Sequence, residues 1–79
     1  MRVHITHYAV FREQAGRATE LRVTEAETPA ALYTELQREY GFTLDPEWVK
    51  VAINDAFSAM DHPLQDGDQV IFIPPVSGG

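Results

Sequence analysis

Between Thr28 and Gly41 lies the strongest helical stretch of this chain, and it limits what the rest can become. Thr28 suits the N-cap and Pro29 the first helical position, where a missing N–H costs nothing. Leu32 and Leu36, with Tyr33 and Tyr40 nearby, make an apolar stripe at helical spacing. Gly41 is the natural stop, because glycine enters the left-handed region that closes helices. The spacing therefore predicts a helix over Pro29 to Tyr40. The other apolar stretches are short, and most alternate. A single long helix can cover one face of one sheet, so the chain is expected to build a two-layer α+β domain.

The sheet is legible from the alternation. Arg2 to Tyr8 puts Val3 and Ile5 on one face and Arg2, His4 and Thr6 on the other, as a half-buried strand does. Ala9 to Ala15 reads as a short helical or turn segment stopped by Gly16. Thr19, Leu21 and Val23 alternate with Glu20 and Arg22 and give a second strand. After the helix, Phe42 to Glu47 is a connection, with Leu44 turned inward and Asp45-Pro46 making a bend. Trp48 to Asn54 is a third strand, Asn54-Asp55 a turn, and Ala56 to Met60 a fourth strand that completes a hairpin. Asp61 to Asp68 is rich in turn formers, with Asp66-Gly67 supplying the tight turn. Gln69 to Ile73 is the fifth strand. Strand, strand, helix, strand, strand, strand is the order of the β-grasp of ubiquitin: a mixed five-stranded sheet packed on one main helix. Residues 1–73 are expected as the domain, and 74–79 as an extended tail.

At 79 residues the chain suits one domain with a modest core, too small for a deep catalytic cavity of its own. The formal charge of −6 disfavours nucleic acid and anionic membrane surfaces, since little here could neutralise a row of phosphates. Without cysteine there is no disulfide, thiolate metal site or cysteine nucleophile. Met1 to His7 lacks the unbroken apolar run of a signal peptide, and no stretch reaches membrane-spanning length. The expected location is the cytoplasm.

Few side chains invite catalysis. His4 and His7 fall on opposite faces of an extended strand, which argues against a shared metal and for two exposed or rim histidines. His62 serves its turn. Asp61, Asp66 and Asp68 crowd one connector but match no calcium loop. The last strand is odd in another way, because Val70, Ile71, Phe72 and Ile73 are apolar on both faces. Either neighbouring strands shield the face the helix leaves bare, or Ile71 or Ile73, with Tyr8 and Phe57, forms an exposed patch of the kind that binds proteins. This strand runs into Pro74-Pro75, which stiffens the backbone and ends the ladder, and then into Val76-Ser77-Gly78-Gly79. A di-glycine alone is an ordinary frayed end. A core strand, a rigid spacer and a thin terminal thread in succession suggest a carboxylate built for presentation. Activated as an acyl-adenylate, that carboxylate could accept sulfur and leave as a thiocarboxylate.

Three stretches carry a family resemblance: Asp61-His62-Pro63-Leu64, then Asp66-Gly67-Asp68-Gln69-Val70, then Phe72 to Gly79. Together they resemble the signature of the small, sulfur-carrying subunits of molybdopterin synthase, within the ubiquitin-like ThiS-type family. Tyr8-Ala9 and Arg12-Glu13 before Gly16 are similar too. The likeness covers the whole length and is specific over the C-terminal part. It implies a β-grasp with no catalytic machinery or bound cofactor of its own, acting as a sulfur-carrier subunit of a sulfurtransferase. It implies that an ATP-using adenylyltransferase activates Gly79 and that a sulfurtransferase system makes the thiocarboxylate. The tail, Pro75, Val76, Ser77 and Gly78, would then thread into the large synthase subunit and deliver sulfur to cyclic pyranopterin monophosphate, forming molybdopterin within a heterotetramer. Tyr8, Phe57 and Ile73 match the family's apolar partner-facing positions, and Arg12 would add a polar contact. Three other expectations compete. One is a sulfur carrier for thiamine thiazole synthesis, against which Pro74-Pro75 speaks. The others are a ubiquitin-like modifier joined to lysines through Gly79, and a passive interaction module.

Overall fold

A computed structural model describes residues 1–76. Five strands form one mixed sheet: β1 (Arg2–Thr6), β2 (Thr19–Val23), β3 (Lys50–Ile53), β4 (Ala56–Ser58) and β5 (Gln69–Ile73). A short helix, α1 (Val10–Ala15), joins β1 to β2, and α2 (Pro29–Tyr40) follows β2. The strand order is β2-β1-β5-β3-β4. β1 and β5 run parallel at the centre, while β1–β2, β5–β3 and β3–β4 are antiparallel. This is the β-grasp arrangement, with one main helix over one face. The two central strands come from opposite ends of the chain. Because they are parallel, the tail leaves β5 at the edge of the sheet where β1 ends.

The caps act as their residue types dictate. Thr28 Oγ1 accepts from Ala31 N at 3.2 Å, and Gly41 closes α2 at φ 73° with its N–H on Gln37 O. Asn54 and Asp55 both take positive φ, 52° and 69°, as the two central residues of a tight β-hairpin turn require. Asp66 and Asp68 hold the connector before β5: Arg2 N donates to Asp66 Oδ1, and Gln65 N and Asn54 Nδ2 donate to the Asp68 carboxylate.

The core lies between the sheet and α2. Register places Ile5 beside Val70 and Val70 beside Ile53, and Val51 beside Phe72. These residues and Val3 pack on Leu32, Tyr33 and Leu36 of α2, all buried. Phe11 from α1 and Phe42 after α2 complete an aromatic cluster around Tyr33, whose ring centroid lies 5.3 Å from that of Phe72. Burying each such side chain is worth roughly 1.5–3 kcal/mol.

Some boundaries differ from the sequence reading. β1 stops at Thr6 because a turn begins at Tyr8, although His7 N still bonds Ala18 O. Trp48 belongs to a 3-10 turn, Pro46–Trp48, not to β3, because Asp45 Oδ1 caps Glu47 N and the strand starts only at Lys50. β4 ends at Ser58, since the Ala59 carbonyl is taken by His62 N in the next turn. His7 is not a rim residue. It is buried, with its ring edge-on to Tyr40 and Phe42 and its Nε2 beside Glu20.

Candidate functional site

The face of the sheet away from α2 is set by the same registers. Ile71 pairs with Thr6 on one side and with Ala52 on the other, Ala52 pairs with Phe57, and Ile73 pairs with Lys50. Since paired residues share a face, Ile71, Ile73, Ala52 and Phe57 lie on this open side. Ile71 and Ile73 are half-buried, whereas Phe57 is 77% exposed. Tyr8, 53% exposed, follows β1 at the end of the sheet from which the tail departs. The last strand shows part of both alternatives: it lies centrally with Ile71 and Ile73 half-buried, and apolar surface stays exposed at Phe57 and Tyr8. Neighbours shield Ala52 and part of the isoleucines, and leave Phe57 and Tyr8 bare. Arg12 is exposed on α1, and no salt bridge to it occurs among the described residues. Pro74 is half-buried, Pro75 and Val76 are exposed, and Ser77, Gly78 and Gly79 lie outside the described residues.

At the root of the tail is an apolar cleft. Ala9 and Val10 form one wall, Thr43 and Leu44 another, and Pro74, Pro75 and Val76 run along it. Ala9 is unusual: φ is 54° and ψ −124°, and Phe11 N donates to Tyr8 O at 3.1 Å across it. That is the first central position of a type II′ turn, which glycine ordinarily takes. A residue with a Cβ there costs about 1–3 kcal/mol. The sequence offered no warning of it, because nothing in Tyr8-Ala9-Val10 marks a positive φ.

The densest polar cluster lies elsewhere, on the helix side of the edge strand β2. Pairing Val3 with Arg22 and Ile5 with Glu20 turns both charged side chains toward α2. The Glu20 carboxylate meets His7 Nε2 at 2.6 Å, accepts from Tyr40 Oη at 2.7 Å, and lies 3.2 Å from Arg22 Nη2. Arg22 also reaches Glu35 at 2.9 Å and Glu39 at 2.7 Å, and its Cζ stands 5.6 Å from the Tyr40 ring centroid. Burial pushes the Glu20 pKa up, but the His7 and Tyr40 hydrogen bonds and the Arg22 charge outweigh it and hold the group below its ordinary value. Burial likewise opposes the Arg22 charge, and its bonds to Glu39, Glu35 and Tyr40 more than restore it. Among the described residues, the Arg22 Nε is the one buried polar side-chain atom without a partner. The cluster ties β2 to α2. It offers no unpaired base or nucleophile, and no group of three or more metal-ligating side chains occurs among the described residues. Among the described residues no helix is long and apolar enough to cross a membrane.

The β-grasp thus continues from its central strand β5 into Pro74-Pro75, beside a partly exposed apolar face. The model of the ThiS family matches residues 5–79. The chain belongs to that family. It is 33% identical, over 98% of its length and 99% of the relative's, to the molybdopterin synthase sulfur carrier subunit of Escherichia coli. Among solved structures it is similar to subunit 1 of a molybdopterin converting factor from Pyrococcus furiosus. That likeness has a TM-score of 0.76 and 27% identity, covering 96% of this chain and 99% of that one. It is similar also to a chain in the complex of subunits 1 and 2 of the molybdopterin-converting factor from Helicobacter pylori, with a TM-score of 0.67 and 25% identity over the whole of both chains. For a ThiS-family chain, these likenesses agree with the β-grasp built above.

Proposed function

We propose that this chain carries sulfur for molybdopterin synthase, as a thiocarboxylate on Gly79. The observation that carries the reading is the placing of the exposed apolar face. It is formed around β5, the strand that continues into Pro74-Pro75, so a partner seated on Tyr8, Phe57 and Ile73 receives the tail from a fixed direction. Family membership and the whole-length likeness to sulfur carrier subunits support it. The Helicobacter pylori relative comes from a complex with subunit 2, which supports a large synthase subunit as the partner.

The chemistry follows from what a carboxylate can do. A Gly79 oxygen attacks the α-phosphorus of ATP on an adenylyltransferase, pyrophosphate leaves, and an acyl-adenylate forms. A persulfide on a sulfurtransferase then displaces AMP to give an acyl disulfide. A second thiol attacks the sulfurtransferase sulfur and leaves as a disulfide with it, while the chain keeps a thiocarboxylate. In the large subunit that sulfur passes to cyclic pyranopterin monophosphate, and the carboxylate returns with an oxygen from water. One chain has one C-terminus and carries one sulfur atom, so a dithiolene takes two deliveries. The glycines give the thread the thinness to enter a partner's channel, since neither bears a Cβ.

Intact-mass measurement after incubation with an activating enzyme, ATP and a sulfur donor should show one oxygen exchanged for sulfur, and a chain lacking Gly79 should show none. A full-length chain that stays unmodified overturns the proposal. So does a chain that complements a strain deficient in thiazole synthesis but not one lacking the synthase small subunit.

A further inference from the structure

We propose that Ala9 is a positioning residue for the tail. Its methyl group, held in place by a strained turn, and Leu44 opposite form a seat that sets the direction in which Pro74, Pro75 and Val76 leave the sheet. This rests on the reading that the tail is the working end of the molecule.

Ala9 opens α1 through a strained turn that glycine would make without strain. Ala9 occupies φ 54°, ψ −124°, which glycine would adopt freely. Its side chain is exposed and forms no part of the hydrophobic core, so burial does not offset the strain. Ala9 does line the cleft that Leu44, Pro74, Pro75 and Val76 also line. Strain of this kind persists where the surrounding structure imposes it, and it gathers at working sites.

The walls of the seat are well fixed. Val10, next to Ala9, and Leu44 are both packed against the core, and the Leu44 carbonyl accepts from Tyr33 Oη at 2.7 Å and from Gln37 Nε2 at 3.2 Å. The tail is suited to being aimed. Proline has a fixed φ and no N–H, so Pro74-Pro75 passes on the direction it receives at the end of β5. An error of direction at Pro74 grows with every residue beyond it, and a displacement of about 1 Å at a reacting centre can cost on the order of 100-fold in rate.

The test is Ala9→Gly, with Ala9→Ser as its control. Glycine relieves the turn and removes the methyl group, whereas serine keeps a Cβ and keeps the strain. The glycine variant should melt about 4 °C or more above the parent. At the same time, the backbone order parameter of the Val76 amide should fall below about 0.6, the flexible range. Its kcat/KM for thiocarboxylation should drop about tenfold or more. The serine variant should match the parent in order parameter and rate. A glycine variant that is no more stable overturns the strain. One that is more stable with Val76 as ordered as in the parent overturns the seat, as does a serine variant that loosens the tail. If the parent accepts no sulfur while Val76 still loosens in Ala9→Gly, the carrier reading fails and the seat stands.

Discussion

β2 and β5 are both five-residue strands of one sheet, and they use their two faces in opposite ways. β5 lies between β1 and β3 and is apolar on both sides: Val70 and Phe72 enter the core, and Ile71 and Ile73 line the open face. β2 lies at the edge and is inverted. Its charged residues Glu20 and Arg22 face the helix, while Leu21 and Val23 stand out at 55% and 76% exposure. The difference follows from position. At the centre of a small core a polar group would find no partner, and burying one unpaired costs several kcal/mol. At the edge, the last turns of α2 bring Glu35, Glu39 and Tyr40 within reach, and His7 arrives just after β1, so nearly every buried donor and acceptor is answered. The helix side of this sheet is thus closed in two ways, by packing under β5 and by an ion-pair network under β2. The open side is left apolar at both.

That contrast can be broken most forcefully at the centre. Phe72→Ala removes a buried ring set against Tyr33 and should cost about 3–5 kcal/mol, much of what so small a domain possesses. Urea unfolding would measure it, and a loss below about 1 kcal/mol would mean that the core closes over the gap. Under β2 the expected loss is smaller. Arg22→Met leaves Glu20, Glu35 and Glu39 gathered without their shared cation and should cost about 2–3 kcal/mol, since the cluster is partly open to water.

The network also gives the two regions different pH behaviour. The carboxyls of Glu20 and Glu39 sit below their ordinary value of 4.5 in the folded chain, Glu20 against the cost of burial and Glu39 chiefly through its bond to Arg22. A depressed carboxyl adds stability above its unfolded pKa, and that share is lost as pH falls through the folded value. Melting temperature should therefore decline as pH drops from near 4.5 downward, and the decline should be shallower in Glu20→Gln, which has less to lose. Equal slopes in the two proteins would show that the cluster contributes nothing to the acid limb. The Tyr33 hydroxyl, pushed up to about 12 by burial and then by the Asp45 charge, stays protonated throughout this range.

What the sequence revealed, and what it hid, divides along the same line. Local chemistry was legible. The Thr28-Pro29 start and Gly41 stop of α2, the Asn54-Asp55 hairpin and the Asp66-Gly67 turn depend on residues close to one another in the chain. The order of elements followed, and with it the β-grasp. Facts that depend on distant partners were hidden. The burial of His7 continues the inward alternation of Val3 and Ile5, but its partner Glu20 lies on β2 and nothing local to β1 names it. The alternation of β2 marked a strand but not which face would turn inward, because the partners that make the polar face the buried one lie in α2. Trp48 left the expected strand through a cap on Asp45 that competes with the apolar pattern. At the site, the apolar positions and the tail motif were readable, but the strain at Ala9 was not, since a type II′ turn without glycine has no sequence sign.

The smallest effect on folding is expected on the open face, and there the two strands can be told apart by function. Phe57→Ala removes a side chain 77% exposed on a three-residue edge strand and should change stability by less than about 1 kcal/mol. If the face around β5 receives the large subunit, the same change should weaken that complex by about 2 kcal/mol or more, as loss of a central aromatic anchor does. Leu21→Thr, made on the open face of β2, also changes an exposed side chain and puts a β-branched strand former in its place. It should leave unfolding within about 0.5 kcal/mol of the parent. Leu21 stands two strands from β5, across β1, so the variant should also leave the affinity near its parent value. Calorimetric titration of both variants against the large subunit separates the possibilities. Weakening at Phe57 alone confines the partner to the β5 half, where the tail departs. Equal weakening at both would mean that the partner spans the sheet, and that the exposed residues of the inverted strand belong to the same interface.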